Sequence, residues 1–269
     1  STTHSIVGAL CGPVLLALDP SKILWGSLGH KVLLPLLLSP VIALLLTFFI
    51  YRGGYRIFSR LSRYCICLER TGELCYDQAG KGALSLSNKS VDTAVEVGTI
   101  EQCEESLSAP IRSNVNDVTH WLSSGLISFA RGLNDTPKIV AIMFVSTAFV
   151  ARDVTVITLL AVLAMGLGSY LKGLRVTETL SEKVTTMDRN DSVIANLVTA
   201  FLVVFASKFG IPVSTTHVSS SAIIGIGLRR DGGGINRRVV YEMLAAWVVT
   251  LPVAGIIAGV VYLGLNWVV

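Results

Sequence analysis

Three stretches of this chain, Leu28 to Ile50, Val154 to Leu171 and Val239 to Val268, stay apolar over roughly the 20 residues that a helix needs to cross a bilayer. No water reaches the backbone inside hydrocarbon, so a spanning segment must satisfy its own peptide groups as a helix or close into a barrel. Unbroken apolar runs of this length read as helices. Two further regions, Trp121 to Val150 and Ser192 to Leu228, are apolar but interrupted by polar motifs. Hydrophobic residues make up 52% of the chain and charged residues 15%, which excludes an ordinary soluble domain. The sequence therefore predicts an all-α, polytopic helical membrane protein. Residues 1 to 17 lack the basic start of a cleavable signal, so targeting is expected to reside in the spans.

A four-residue string occurs twice, as Ser1-Thr2-Thr3-His4 and as Ser214-Thr215-Thr216-His217, each opening a run of small and apolar residues. This repetition implies internal duplication. Since the first copy stands at residue 1 without an initiator Met, the natural protein is expected to extend further upstream. Between the copies, from Tyr51 to about His120, the text turns to mixed charge, Ser, Gly and Asn, as in Asp77 to Gly82 and Glu101 to Glu105. We expect residues 51–120 to form an extramembranous, partly disordered loop. It separates the end of a first transmembrane repeat, 1–50, from a second repeat, 121–269.

Counting crossings from Leu28 places the 51–120 loop, the 172–190 connection and residues 229–238 on one face, whether or not Ser192 to Leu228 is re-entrant. Arg52, Arg56, Arg60, Arg63, Lys172, Arg175, Lys183, Arg229, Arg230, Arg237 and Arg238 all fall there, against Lys22, Lys31 and Arg152 opposite. By the positive-inside rule that face is cytoplasmic and the C-terminus lies outside. The same count inverts the two copies relative to each other. The formal net charge of +4 is a matter of this distribution and not a sign of nucleic-acid binding. Of the five cysteines, Cys65, Cys67, Cys75 and Cys103 sit in the polar segment at spacings that fit neither a disulfide framework nor a zinc site, and are expected to be reduced thiols.

Two constellations carry chemistry. In Lys208 to His217, Gly210 permits a bend and Pro212 removes a backbone donor, so helix continuity should be lost there. Broken backbone at membrane depth is tolerated only where it is buried in protein or lines a wet cavity. Ser214 to Leu228 would extend about 22 Å as a helix, short of the roughly 30 Å hydrocarbon core, which favours a re-entrant hairpin. Its hydroxyl-rich N-terminus suits an anion, although such residues also serve as plain helix caps. His217 could relay protons or cap the helix, and Lys208 could snorkel or attract an anion. The second constellation is Arg131 to Lys138. Asp135 can bind a cation, carry a proton, or pair with Lys138 or Arg131, while Asn134 and Thr136 offer neutral oxygens and Pro137 should interrupt the helix.

With these residues in view, the chain resembles the inorganic phosphate transporter family, whose halves each pair an Asn-Asp motif with Pro-Val-Ser-Thr-Thr-His. Gly132-x-Asn134-Asp135-x-x-Lys138 matches the second-half signature, Pro212 to His217 matches the hydroxyl motif in full, and Gly173 to Thr185 also matches. Ser1 to His4 looks like the first-half hydroxyl motif without its Pro-Val. The first-half Asn-Asp motif is expected upstream of residue 1. The resemblance implies a symporter with inverted repeats and broken, re-entrant helices, moving phosphate with sodium or protons by alternating access. Phosphate would be bound by Thr2, Thr3, Ser214, Thr215, Thr216 and Asn134. The coupling ion would be held by Asp135, Asn134, Ser1 and Ser214, with Lys138, Arg131, His217 and His4 as accessories. No cofactor is expected, and no metal other than sodium. The expected partners are phosphate, the lipid bilayer and a second copy of the chain in a homodimer, in the plasma or inner membrane. A sulfate permease on the same scaffold, a passive anion channel and an intramembrane hydrolase using Ser214, His217 and Asp135 are the rivals. The last lacks a nucleophile elbow.

Overall fold

The computed structural model describes residues 1–71, 92–100, 111–147, 154–178, 183–230 and 234–266. Helix α1 (Thr2–Ala17) is followed by a 3-10 turn, Pro20–Lys22, and a single turn α2 (Trp25–Leu28). That turn runs through a π segment, Gly29–Leu33, into α3 (Leu34–Leu61). After the polar segment come α4 (Val115–Thr147), α5 (Val154–Glu178), α6 (Arg189–Lys208), α7 (Thr215–Arg229) and α8 (Arg237–Asn266). The chain is an all-α polytopic membrane protein. Three helical stretches among the described residues are long and apolar enough to cross a bilayer: Trp25–Leu61, Arg189–Lys208 and Arg237–Leu265. Their outer faces carry large exposed side chains such as Phe49, Val248 and Ile256, as expected where lipid is the solvent.

Three features depart from the sequence reading. Helix α4 runs through Pro137 without interruption. A proline removes one backbone donor, and membrane helices tolerate that loss because neighbouring groups re-satisfy the freed carbonyl. The polar segment also contains a three-stranded antiparallel sheet in the order β2-β1-β3, from β1 (Tyr64–Thr71), β2 (Asp92–Thr99) and β3 (Ile111–Asn114). Cys65 on β1 is disulfide-bonded, against the expectation of reduced thiols. Asp77 to Gly82, Glu101 to Glu105, Cys75 and Cys103 lie outside the described residues, as does Arg152.

The hinge between α6 and α7 has a definite cause. Gly210 adopts φ 64°, a left-handed conformation that suits glycine. It closes α6 in a Schellman motif, with the Ile211 amide donating to the Ala206 carbonyl at 2.9 Å and the Gly210 amide to the Ser207 carbonyl at 3.1 Å. Pro212 then holds the chain extended until Ser214 starts α7. The result is a helical hairpin whose second arm is almost wholly buried from Thr215 to Gly227.

The two hydroxyl-motif helices pack reciprocally. Helix α1 lies against α8, which follows the second motif, and α7 lies against α3, which follows the first. The contact uses a glycine at matching places, Gly12 after His4 and Gly225 after His217. A Cβ on Gly12 would stand 2.0 Å from the Gly255 carbonyl oxygen, and one on Gly225 2.6 Å from that of Leu44. Such backbone approach is how helices associate where no hydrophobic force separates them from lipid. The two packings are thus reciprocal, each motif helix lying against a helix of the other half.

At one end of the bundle, α3, α6 and α7 are tied by polar groups. Asp188 and Asp191 form a capping box on α6, each side chain accepting from the other's amide at 2.8 and 3.0 Å. The fully buried Asp191 also accepts from the Tyr51 hydroxyl at 3.0 Å and from Arg230 at 2.8 Å, while Tyr55 donates to Asp188 at 3.0 Å. Between this end and the motif serines lies a core of small and β-branched residues including Ile194, Val198, Ala222 and Ile226.

Candidate functional site

The two motif serines meet. Ser1 caps α1 by accepting from the His4 amide, and Ser214 caps α7 by accepting from the His217 amide, each at 3.3 Å. The Ser1 hydroxyl donates to Ser214 Oγ at 2.9 Å, which sets two helix N-termini tip to tip across 213 positions of chain. Each N-terminus carries roughly half a positive charge, so this apposition is unfavourable unless an anion or acceptor groups gather there.

The acceptors are identifiable. The Val213 carbonyl, left outside any helix by the extended segment around Pro212, accepts from Thr3 Oγ1 at 3.1 Å, Asn134 Nδ2 at 3.2 Å and Lys138 Nζ at 3.1 Å. Lys138 also donates to Thr3 Oγ1 at 3.1 Å and to Asp135 Oδ1 at 3.4 Å, and Asn134 donates to the same carboxylate oxygen at 2.8 Å. Asn134, Asp135, Thr3 and Ser214 are buried, and Lys138 is half-buried. One turn of α4, the tip of α1 and the tip of α7 thus converge on one polar knot inside an apolar bundle.

Beside it stands a stack of rings. The imidazoles of His4 and His217 lie 4.4 Å apart, and the far side of His217 stacks on the Trp247 indole at 3.9 Å and 27°. His217 is 2% exposed, and its Nε2 has no hydrogen-bond partner among the described residues. The hydrolase geometry is absent here: Ser214 Oγ serves the Ser1 hydroxyl and the cap, and the His217 ring faces other rings.

Of the residues singled out in the sequence, the structure brings together Ser1, Thr3, His4, Asn134, Asp135, Lys138, Ser214 and His217. Thr215 is buried and Thr216 half-buried in the first turn of α7. Thr2 and Arg131 are exposed, Thr136 turns to the Met165 sulfur at 3.9 Å, and Lys208 is exposed on the last turn of α6. Two contributors were missed. The Val213 carbonyl had an indirect signal in the neighbouring Pro212, whereas Trp247, on the far helix α8, had none.

Fold and site define an integral membrane protein in which two helix N-termini and one turn of α4 meet in a buried polar cluster. The chain belongs to the phosphate transporter family, whose model matches residues 1–258. That family is one of transporters and not of enzymes. A protein of Pyrococcus abyssi named as a candidate phosphate permease is 28% identical over all of this chain and 73% of its own length. The chloroplastic inorganic phosphate transporter 2-1 of Arabidopsis thaliana is 25% identical over 96% of this chain and 53% of its own. Among solved structures, a sodium-dependent phosphate transporter aligns with all of this chain at 18% identity and a TM-score of 0.49; the chain spans 65% of it.

Proposed function

We propose that the chain is the ion-coupled, phosphate-binding part of a symporter that works by alternating access between inverted repeats in the plasma or inner membrane. The reading is carried by the 2.9 Å contact of the Ser1 and Ser214 hydroxyls, which points two helix N-termini at one place. Phosphate there takes hydrogen bonds from the hydroxyls and amides of the two first turns, Thr2, Thr3, Ser214, Thr215 and Thr216, and from Asn134, in exchange for the contacts that Thr3, Ser214 and Asn134 make with Val213, Ser1, Lys138 and Asp135. His217 Nε2, buried and without a partner among the described residues, supplies a further polar atom. The coupling ion, sodium or a proton, enters at Asp135.

Lys138 supports that placement. Its ammonium rests among Asp135 Oδ1, Thr3 Oγ1 and the Val213 carbonyl, the carboxylate, hydroxyl and carbonyl oxygens that a hard cation prefers. A cation at Asp135 would displace the ammonium, which then turns to the anion, so each ion favours binding of the other. Asp135→Asn tests this. We expect sodium- or proton-driven uptake of radiolabelled phosphate into proteoliposomes to be abolished while the protein still inserts. Unchanged uptake by that variant would refute the assignment, and sulfate competing as well as phosphate would redirect the substrate.

A further inference from the structure

Helix α3 carries a surface that the polar site does not use. Leu34, Leu38, Val41, Leu45 and Phe49 succeed one another at steps of three and four residues, Arg52, Arg56 and Arg60 continue the series, and Arg63 follows in the turn just past the helix end. Steps of this size keep the side chains in one narrow arc of a helix. The structure exposes that arc throughout, from 45% at Leu34 to 74% at Phe49, and all four arginines are exposed. On the other side of the same turns, Tyr51 and Tyr55 reach the acidic pair Asp191 and Asp188. That acidic pair is thus committed away from the four arginines. Among the described residues, none of the four is in an ion pair. A fifth guanidinium, Arg229 of α7, lies 5.2 Å over the Phe48 ring, beside the junction of the apolar and basic parts.

An apolar strip about 22 Å long that passes within one turn into a guanidinium strip has the outline of an amphiphile. Guanidinium groups pair phosphate oxygens bidentately, and clusters of them just beyond a span attract anionic leaflets. We propose that this face of α3 binds anionic phospholipid, with acyl chains along Leu45 and Phe49 and the headgroup between Arg52, Arg56 and Arg229. Arg60 and Arg63 extend the attraction beyond the headgroup plane. A free anion would match the arginines but would be indifferent to the apolar half. An acidic protein partner would need no lipid at all.

The test is native mass spectrometry of the full chain purified in detergent with equal phosphatidylglycerol and phosphatidylcholine. The unaltered protein should retain phosphatidylglycerol preferentially. In the Arg52→Gln/Arg56→Gln/Arg60→Gln/Arg63→Gln variant that preference should fall at least tenfold, given roughly fivefold per guanidinium at an anionic surface. Arg56→Gln alone should give a smaller loss in the same direction, which keeps the test valid if the fourfold variant misfolds. Phe49→Gln should also weaken retention, and inorganic phosphate in equal excess should not displace the lipid. Equal retention of both lipids, an unaffected arginine variant, or displacement by phosphate with Phe49→Gln unaffected would overturn the proposal.

Discussion

The ammonium of Lys138 bridges three elements at once, through Asp135 on its own helix, Thr3 on α1 and the Val213 carbonyl before α7. Hydrogen bonds to a charged group are worth about 1.5–3 kcal/mol each, so Lys138→Met should raise the phosphate KM by about tenfold or more in an uptake assay. Lys138→Arg should fail to restore it, because a planar fork cannot meet three oxygens converging on a point. The serine pair makes a separate prediction. Ser1→Ala and Ser214→Ala each remove a cap, costing about 1 kcal/mol, and the double variant should lose less than the sum because both share one hydroxyl contact. Thermal unfolding of the purified variants reads this directly, and strict additivity would mean that the two tips do not touch. At this scale the sequence exposed the side chains with chemistry, because charge and hydroxyls are unusual within apolar runs. It could not expose Val213, whose contribution is a main-chain oxygen, nor Trp247, whose role comes only from where α8 happens to lie.

Among the elements, the reciprocal seating of α1 on α8 and of α7 on α3 depends on glycines that admit backbone contact. The atoms that a new Cβ would strike at Gly12 and Gly225 are carbonyl oxygens, which cannot swing aside as a side-chain tip can. Gly12→Ala and Gly225→Ala should therefore each destabilise by about 1–3 kcal/mol, the cost of overpacking, and shift the protein toward aggregates on size exclusion. Gly26→Ala, where nothing lies within 4 Å, should leave the elution profile unchanged. If the two motif-helix variants behaved like Gly26→Ala, the helices would not be seated as described. Apolar length and the Gly210-Ile211-Pro212 break made the helices and their hinge legible before the structure. The sheet was not legible, because β1 and β2 pair across a long polar insertion whose text shows little alternation. Pro137 misled for a physical reason, since rules for proline in water overstate its effect in a packed membrane helix.

For the whole molecule, two signals disagree about which compartment faces the sheet. The accumulation of arginine and lysine at the α3, α6 and α7 ends is what the positive-inside rule expects of a cytoplasmic side, since basic residues resist translocation. The disulfide at Cys65 belongs by chemistry to an oxidising compartment. We propose that the basic residues decide, because they act during insertion and are spread over three separate connections, whereas one thiol pair can oxidise after the protein has left the cell. Two measurements then have linked outcomes. An epitope inserted between Gly80 and Lys81 should be reached by antibody only after the cells are permeabilised. In cells quenched with acid and alkylated before lysis, Cys65 should carry the alkyl group, and it should become resistant to alkylation only after extraction in air. A tag accessible on intact cells together with an unreactive Cys65 would invert the molecule, placing the Asp191–Arg230 end outside and the C-terminus within.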